Sequence, residues 1–155
     1  MGKDKKEDKI LERLTLAFTM ELETVINYLS NSTMLDGVRA EEIKTNLAAD
    51  VAEELLHATQ LAKRIKQLGG RVPGSLDLDF NQKALQPPKD TTDVMGVIKG
   101  VIGAEENAIA NYKACIRECN DAEDYVTQDL CIRLLTDEEA HLIQFRGFLK
   151  EYEKK

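Results

Sequence analysis

The sequence predicts an all-α fold: a four-helix bundle of two antiparallel helix pairs joined by one long crossover. Three observations carry this. Four segments place apolar residues at helical spacing. All three prolines of the 155-residue chain fall in one irregular stretch near its middle. The chain also repeats itself: shifted by 84 residues, Glu54, His57 and Gln60 fall on Glu138, His141 and Gln144.

The first helix is expected over residues 9–34, KILERLTLAFTMELETVINYLSNSTM, with Ile10, Leu11, Leu14, Phe18, Leu22, Val25 and Leu29 on its apolar stripe. LDGV breaks it, and Gly37 is the natural stop. The second helix covers residues 40–68 and ends at Gly69 and Gly70. The stretch that follows, about residues 69–91, holds Pro73, Pro87 and Pro88 and keeps no helical period. A loop of that length inside a compact domain needs a purpose, and here it carries the chain along the full bundle. The third helix is expected from about residue 92 to 119 and the fourth from about 122 to near the C-terminus. The CNDAED turn between them is short, so these two are antiparallel neighbours.

A chain of this length is one domain, 1–155, able to bury a full core. Its 43% hydrophobic and 32% charged residues are ordinary for a soluble globular protein. The net charge of −7 argues against a nucleic-acid surface and suits a protein that handles cations. Lys3, Lys5, Lys6 and Lys9 are interleaved with Asp4, Glu7 and Asp8, so their field largely cancels and DNA is not an expected partner. MGKDKKEDKI has no apolar run to act as a secretory signal, and no stretch is apolar enough to span a bilayer. With an odd number of cysteines in no spaced framework, free thiols in a reducing cytoplasm are expected.

The repeat extends to the other helix of each half. ELETVINY, residues 21–28, falls on EENAIANY, residues 105–112, so that Glu21, Asn27 and Tyr28 coincide with Glu105, Asn111 and Tyr112. What the halves share is polar, and polar residues on a core face need a reason. A separation of three residues is about 300° of turn, so Glu54 and His57 project from one face, as do Glu138 and His141. Four buried carboxylates with no cationic side chain at those positions call for a bound cation. Oxygen donors with two imidazoles suit iron or manganese, and zinc less well. One Glu from each of two helices plus Glu-x-x-His from each of the others is the donor set of di-iron carboxylate bundles. The expected ligands are Glu21, Glu54 and His57 from one half and Glu105, Glu138 and His141 from the other. Glu54 and Glu138 would bridge, with Glu21 and Glu105 terminal. Tyr28 and Tyr112 are expected beside them, as core aromatics bonding a ligand carboxylate or as redox groups. Glu53, Glu106 and Glu139 flank these residues but are expected to point elsewhere.

The six ligands, the 33-residue spacing within each half, ELETVINY and DYVTQDLCIRLLTDEEAH make the chain resemble the bacterioferritin-type members of the ferritin-like superfamily, over nearly its whole length. The resemblance implies a ferroxidase with two iron ions per chain, for which Mn or Zn could substitute. Fe(II) would be oxidised with O2 or H2O2 and Fe(III) stored in a shell of identical subunits. It implies haem where a methionine follows the second-helix glutamate; here that residue is Leu55, so haem is not expected. The chain ends 14 residues after His141, too soon for the fifth helix of 24-subunit cages. A dimer-built shell, a dodecamer of the Dps-like kind or larger, is therefore expected. Rubrerythrins carry a further glutamate where Ala108 stands, which lowers the alternative of a non-storing di-iron peroxidase. Gly96, Gly100 and Gly103 share one helix face and are expected to serve close helix packing. Cys115, Cys119 and Cys131 are expected as buried inert thiols, with Cys131 about level with Tyr112 and Cys115; the resemblance implies a redox role as the alternative, since some Dps-like thioferritins place cysteines beside the di-iron site.

Overall fold

The computed structural model describes residues 2–154, with side chains from residue 5 onward; the side chains of Lys3 and Asp4 lie outside the described residues. Four helices account for the fold: α1 (Gly2–Met34), α2 (Glu41–Gln67), α3 (Val94–Ala122) and α4 (Tyr125–Tyr152). Partner spacing fixes their directions. Tyr28 meets Glu105 and Tyr112 meets Glu21, so α1 and α3 are antiparallel. His57 meets Asp137 and His141 meets Glu53, so α2 and α4 are antiparallel too. Short turns reverse the chain between α1 and α2 and between α3 and α4, which leaves α2 and α3 parallel and explains the crossover.

The helix ends differ from expectation in ways the local chemistry explains. α1 begins well before residue 9, because Lys6 Nζ donates to the Asp121 carbonyl at 2.6 Å and Lys9 reaches Glu118 at 4.0 Å. These contacts lay the charged first turns along the end of α3, and Lys and Glu are good helix formers. α3 starts at Val94 rather than 92, capped by Asp93, whose side chain accepts from the Gly96 amide at 3.0 Å. It runs past 119 to Ala122, where Glu123 turns left-handed (φ 58°). Asp124 then caps α4, which therefore opens at Tyr125 and not at 122. Arg64 near the end of α2 bonds both Asp124 (3.0 Å) and Thr127 (2.8 Å), pinning that turn to the first pair.

The crossover is not featureless. It carries two single 3-10 turns, Ser75–Asp77 and Lys83–Leu85, and lies across α1 and α3. Gln82 anchors it. Its backbone N–H donates to the buried Glu23 at 2.6 Å, while its side chain bonds Thr24 at 2.8 Å and Asn27 at 3.0 Å. Of the three glycines on α3, none meets another helix: at Gly100 a Cβ would strike the Ala84 carbonyl of the crossover. At Gly96 a Cβ would meet the capping Asp93 carboxylate, and at Gly103 it would meet nothing within 4 Å.

Two apolar clusters fill the bundle. One gathers Ile10, Leu14, Phe18, Leu61, Ile65, Tyr112 and Leu134, the other Tyr28, Leu35, Ile43, Leu47, Ile98 and Phe145. Leu29, expected on the core stripe, is instead 57% exposed, and Leu22 and Val25 are only half buried. The inner stripe of α1 is narrower than its apolar sequence because polar Glu21, Glu23, Thr24, Asn27 and Asn31 take buried positions. Among the described residues no helix is long and apolar enough to cross a membrane.

Candidate metal centre

Between the two clusters lies a polar layer to which every helix contributes. α1 supplies Glu21, α2 Glu54 and His57, α3 Glu105, and α4 Glu138 and His141; none of the six is more than 6% exposed. Their donor atoms form two overlapping groups, each within 4.8 Å throughout: Glu21, Glu54, His57 and Glu138, and Glu54, Glu105, Glu138 and His141. Glu54 and Glu138 belong to both groups. Glu21 and Glu105 belong to one each, the division expected of bridging and terminal carboxylates.

Both imidazoles turn Nδ1 inward. His57 Nδ1 lies 2.9 Å from Glu138, 3.6 Å from Glu21 and 3.6 Å from Glu54. His141 Nδ1 lies 3.2 Å from Glu54, 3.5 Å from Glu105 and 3.6 Å from Glu138. Outward, His57 Nε2 is 3.0 Å from Asp137 and His141 Nε2 is 3.1 Å from Glu53. An imidazole whose Nε2–H is held by a carboxylate is fixed in tautomer and angle, which leaves Nδ1 free for a cation.

The inner atoms fit such a cation. Among the described residues, Glu54 Oε1, Glu105 Oε2, Glu138 Oε1 and both histidine Nδ1 atoms are buried without a hydrogen-bond partner. Orphaned buried polar atoms are costly, and these converge on one space. Among the described residues no lysine or arginine is buried to neutralise them. Four carboxylates balance two divalent ions.

The burial of these groups and their mutual charges set the direction in which each titrates. Burial and the Glu21 charge hold the carboxyls of Glu54 and Glu138 well above the usual range. Glu21 goes the other way: against the cost of burial, its contacts with Glu54, His57 and Tyr112 favour its charged form. Burial alone would discharge the imidazoles, but the carboxylates around them raise both: Glu138, Glu21 and Glu54 for His57, and Glu105, Glu138 and Glu54 for His141. A metal bound among these donors would displace the protons they favour. Tyr28 Oη donates to Glu105 at 2.6 Å and Tyr112 Oη donates to Glu21. Burial and those carboxylates push both phenols upward, so they remain donors.

All six expected ligands and both tyrosines therefore come together, while the shared Asn27 and Asn111 do not join them. Asn27 bonds the crossover, and Asn111 donates to the Arg13 carbonyl at 3.2 Å. Glu106 and Glu139 pair on the surface with Arg146 (2.8 Å) and Lys113 (3.7 Å). Glu53 does not point away as expected: one turn before His57 on α2, it reaches across to His141. Asp137 and Asp50 were also missed. Asp50 is buried, its Oδ1 3.9 Å from His141 Nε2, and burial pushes its carboxyl up to about 6. The signal for two of the three was present, since Glu53 and Asp137 are themselves 84 residues apart, each just before a shared glutamate. Asp50 has Leu134 as its counterpart and left no such trace.

The chain is similar to known proteins over most of its length. The ferritin-like domain family (Ferritin) matches residues 11–155. The bacterioferritin of Desulfovibrio desulfuricans is 28% identical over 147 residues, 94% of this chain and 77% of that protein. The bacterioferritin of Brucella melitensis is 30% identical over 138 residues, 89% of this chain and 81% of that one. In solved form, the Desulfovibrio desulfuricans bacterioferritin, with its diiron site in different catalytic states, superposes with a TM-score of 0.81. That match covers 96% of this chain and 82% of the other at 24% identity, a likeness of fold.

Proposed function

The chain belongs to the ferritin-like family, bacterioferritin type, and from that premise we propose that it is a ferroxidase, oxidising Fe(II) to Fe(III) with O2 or H2O2 for storage and detoxification of iron within a shell of identical subunits. The observation that carries this is the pair of overlapping donor groups sharing Glu54 and Glu138. Glu21, His57 and the shared pair would hold one ion, and Glu105, His141 and the shared pair the other. Mn(II) or Zn(II) would enter the same donors.

The iron supplies the electrons given to the oxidant; the chain supplies the rest. Glu54 and Glu138 hold protons in the metal-free layer and give them up on binding, so affinity for Fe(II) rises with pH. Asp137 and Glu53 keep the Nε2–H of each imidazole while Nδ1 is exchanged between proton and metal. Tyr28 and Tyr112 hold the terminal carboxylates in place as charge leaves the centre. The apolar clusters on either side exclude water.

Anaerobic titration of the metal-free protein with Fe(II), followed by O2 or H2O2, tests this. Expected are two irons bound and oxidised per chain, then several hundred more retained in a large particle on size-exclusion chromatography. Turnover without retention would replace storage by a non-storing di-iron peroxidase. No binding would overturn the metal centre itself.

A further inference from the structure

Asn27 and Asn111 repeat across the two halves yet stay outside the donor layer, and the two ends of the bundle treat them differently. Asn27 lies under the crossover. Its amide donates to the Gln82 side chain at 3.0 Å, and Gln82 in turn donates to Thr24 at 2.8 Å. That plugs the seam between α1 and α3 beside Glu105, where Thr24, Asn27, Val101 and Ala104 are all buried. The 84-residue shift relates this seam to one beside Glu21, formed by Ala108, Asn111, Ala17 and Met20. There Met20 and Ala108 are only half buried, and an alanine methyl stands where the other seam has a hydrogen-bonded threonine.

A narrow gap through this second seam reaches the metal layer. Ala17, Met20, Ala108 and Asn111 line it, and it ends on Glu21 and Tyr112. As it stands it is too narrow for a water molecule. Met20 and Asn111 also border an open groove of about 580 Å³ between α1, α3 and the crossover. Groove and gap are therefore one path, closed at Met20. Methionine is unbranched and flexible, so the half-buried Met20 opens the path by rotation of its own side chain.

The two faces of the bundle differ in charge. Arg13 and Lys83 line the groove, and among the described residues no carboxylate does. Glu12 and Glu118 lie beyond Arg13, where Lys9 reaches Glu118 at 4.0 Å. On the α2–α4 face, the partly exposed Glu53 and Asp137 meet the histidine Nε2 atoms, with Asp50 behind them. A divalent cation is drawn to those carboxylates and repelled by the groove, whereas an uncharged molecule is indifferent to both fields.

We infer that the α1–α3 seam is the oxidant's entry to the metal centre: a small uncharged oxidant passes from the groove, by Met20 and Asn111, to Glu21. Fe(II), drawn to the carboxylates of the α2–α4 face, does not use it. Met20 and Ala108 set the width of the passage. This rests on the di-iron reading above.

Ala108→Leu fills the gap and Met20→Ala widens it, and neither removes a donor atom. Metal entry is read without oxidant, from the visible absorbance of Co(II) mixed anaerobically with the metal-free full chain. Oxidation is read in protein loaded anaerobically with Fe(II) and given limiting O2 or, separately, H2O2, as the second-order rate constant of whichever oxidant the parent uses. Ala108→Leu should keep the parent's Co(II) amplitude and rate while its oxidation constant falls by about tenfold or more, a barrier higher by about 1.4 kcal/mol. Met20→Ala should also take up Co(II) as the parent does, and its oxidation constant should rise. An unchanged oxidation constant in Ala108→Leu would overturn the entry. So would a matching delay in its Co(II) uptake, which would make the seam the metal's door as well. An oxidation constant in Met20→Ala no higher than the parent's would overturn it too, a readout that stands even if Ala108→Leu does not fold. Each of these outcomes leaves the ferroxidase standing; failure of the parent to bind Fe(II) would overturn both.

Discussion

At one end of the metal layer Tyr28 shares a buried cluster with Leu35 and Leu47, and Asn31 ties it to the crossover. At the other end, 84 residues on, Tyr112 shares a buried cluster with Cys115, Cys119 and Cys131. Between the ends almost nothing differs: each half gives a terminal glutamate, a shared glutamate, a histidine and an outer carboxylate. The contacts are crossed, since each tyrosine holds the other half's glutamate and each outer carboxylate the other half's histidine. The difference shows where the constraint lies. A pair of like ions asks both halves for the same donors, whereas the flanks need only fill volume and can take leucine, amide or thiol.

The equivalence can be broken most forcefully at the shared carboxylates. Glu138→Gln touches both donor groups and should abolish binding of both ions, with Fe(II) oxidation falling by more than about 100-fold, beyond the loss expected from an outer-shell partner. Glu21→Gln touches one group, so a single iron per chain should remain in the anaerobic titration. Equal losses in the two variants would show that Glu54 and Glu138 are not shared. One step outward, Asp137→Ala should weaken the ion beside His57, and Glu53→Ala the ion beside His141. Each should lower the affinity of one position by about 10–100-fold, read as a split of the titration curve into a tight and a weak half. A single uniformly weakened curve would mean that the outer carboxylates do not act on separate histidines.

The tyrosines sharpen the comparison on stability. Tyr28→Phe and Tyr112→Phe each strip a donor from a buried carboxylate, a loss of about 1–3 kcal/mol, measurable by denaturant unfolding of the metal-free protein. Similar losses are expected, because each phenol meets the opposite terminal glutamate in the same way. Markedly unequal losses would mean that the flanking clusters, and not the carboxylate bond, set the tyrosine's contribution.

How much of this the sequence disclosed follows from the same division. The residues of the buried donor layer repeat at a fixed interval, and among the repeated positions carboxylate and imidazole chemistry picks out Glu21, Glu54, His57, Glu105, Glu138 and His141. The four helices were legible from apolar spacing and the crossover from its prolines. Leu29 misled because periodicity reports an apolar face without saying which part of it the partner helices cover. Glu53 was set aside by its position on its own helix, yet its partner His141 is on α4, and a cross-helix contact leaves no trace in local spacing. The extra turns of α1 and α3 depended on Lys6 and Glu123, whose roles are tertiary or conformational.

Asp50 is where the halves part without compensation: its counterpart Leu134 is an ordinary core residue, and Asp50 Oδ2 is buried without a hydrogen-bond partner among the described residues. Burial raises its carboxyl from 3.8 to about 6 in the folded chain. A folded pKa above the unfolded one means that the neutral acid favours folding. That contribution is full below the unfolded value and is lost as pH rises through about 6. Asp50→Asn keeps the shape without the charge, so the metal-free variant should exceed the parent in stability above that pH by about 1–2 kcal/mol. In thermal unfolding near neutral pH this would appear as a rise of about 2–6 °C, shrinking toward nothing as the pH is taken down through the acid range. A gain that persists at low pH would trace to packing. No gain at any pH would mean that the carboxylate is already neutralised by His141, and the second half would then be answering for a charge that only the first half carries.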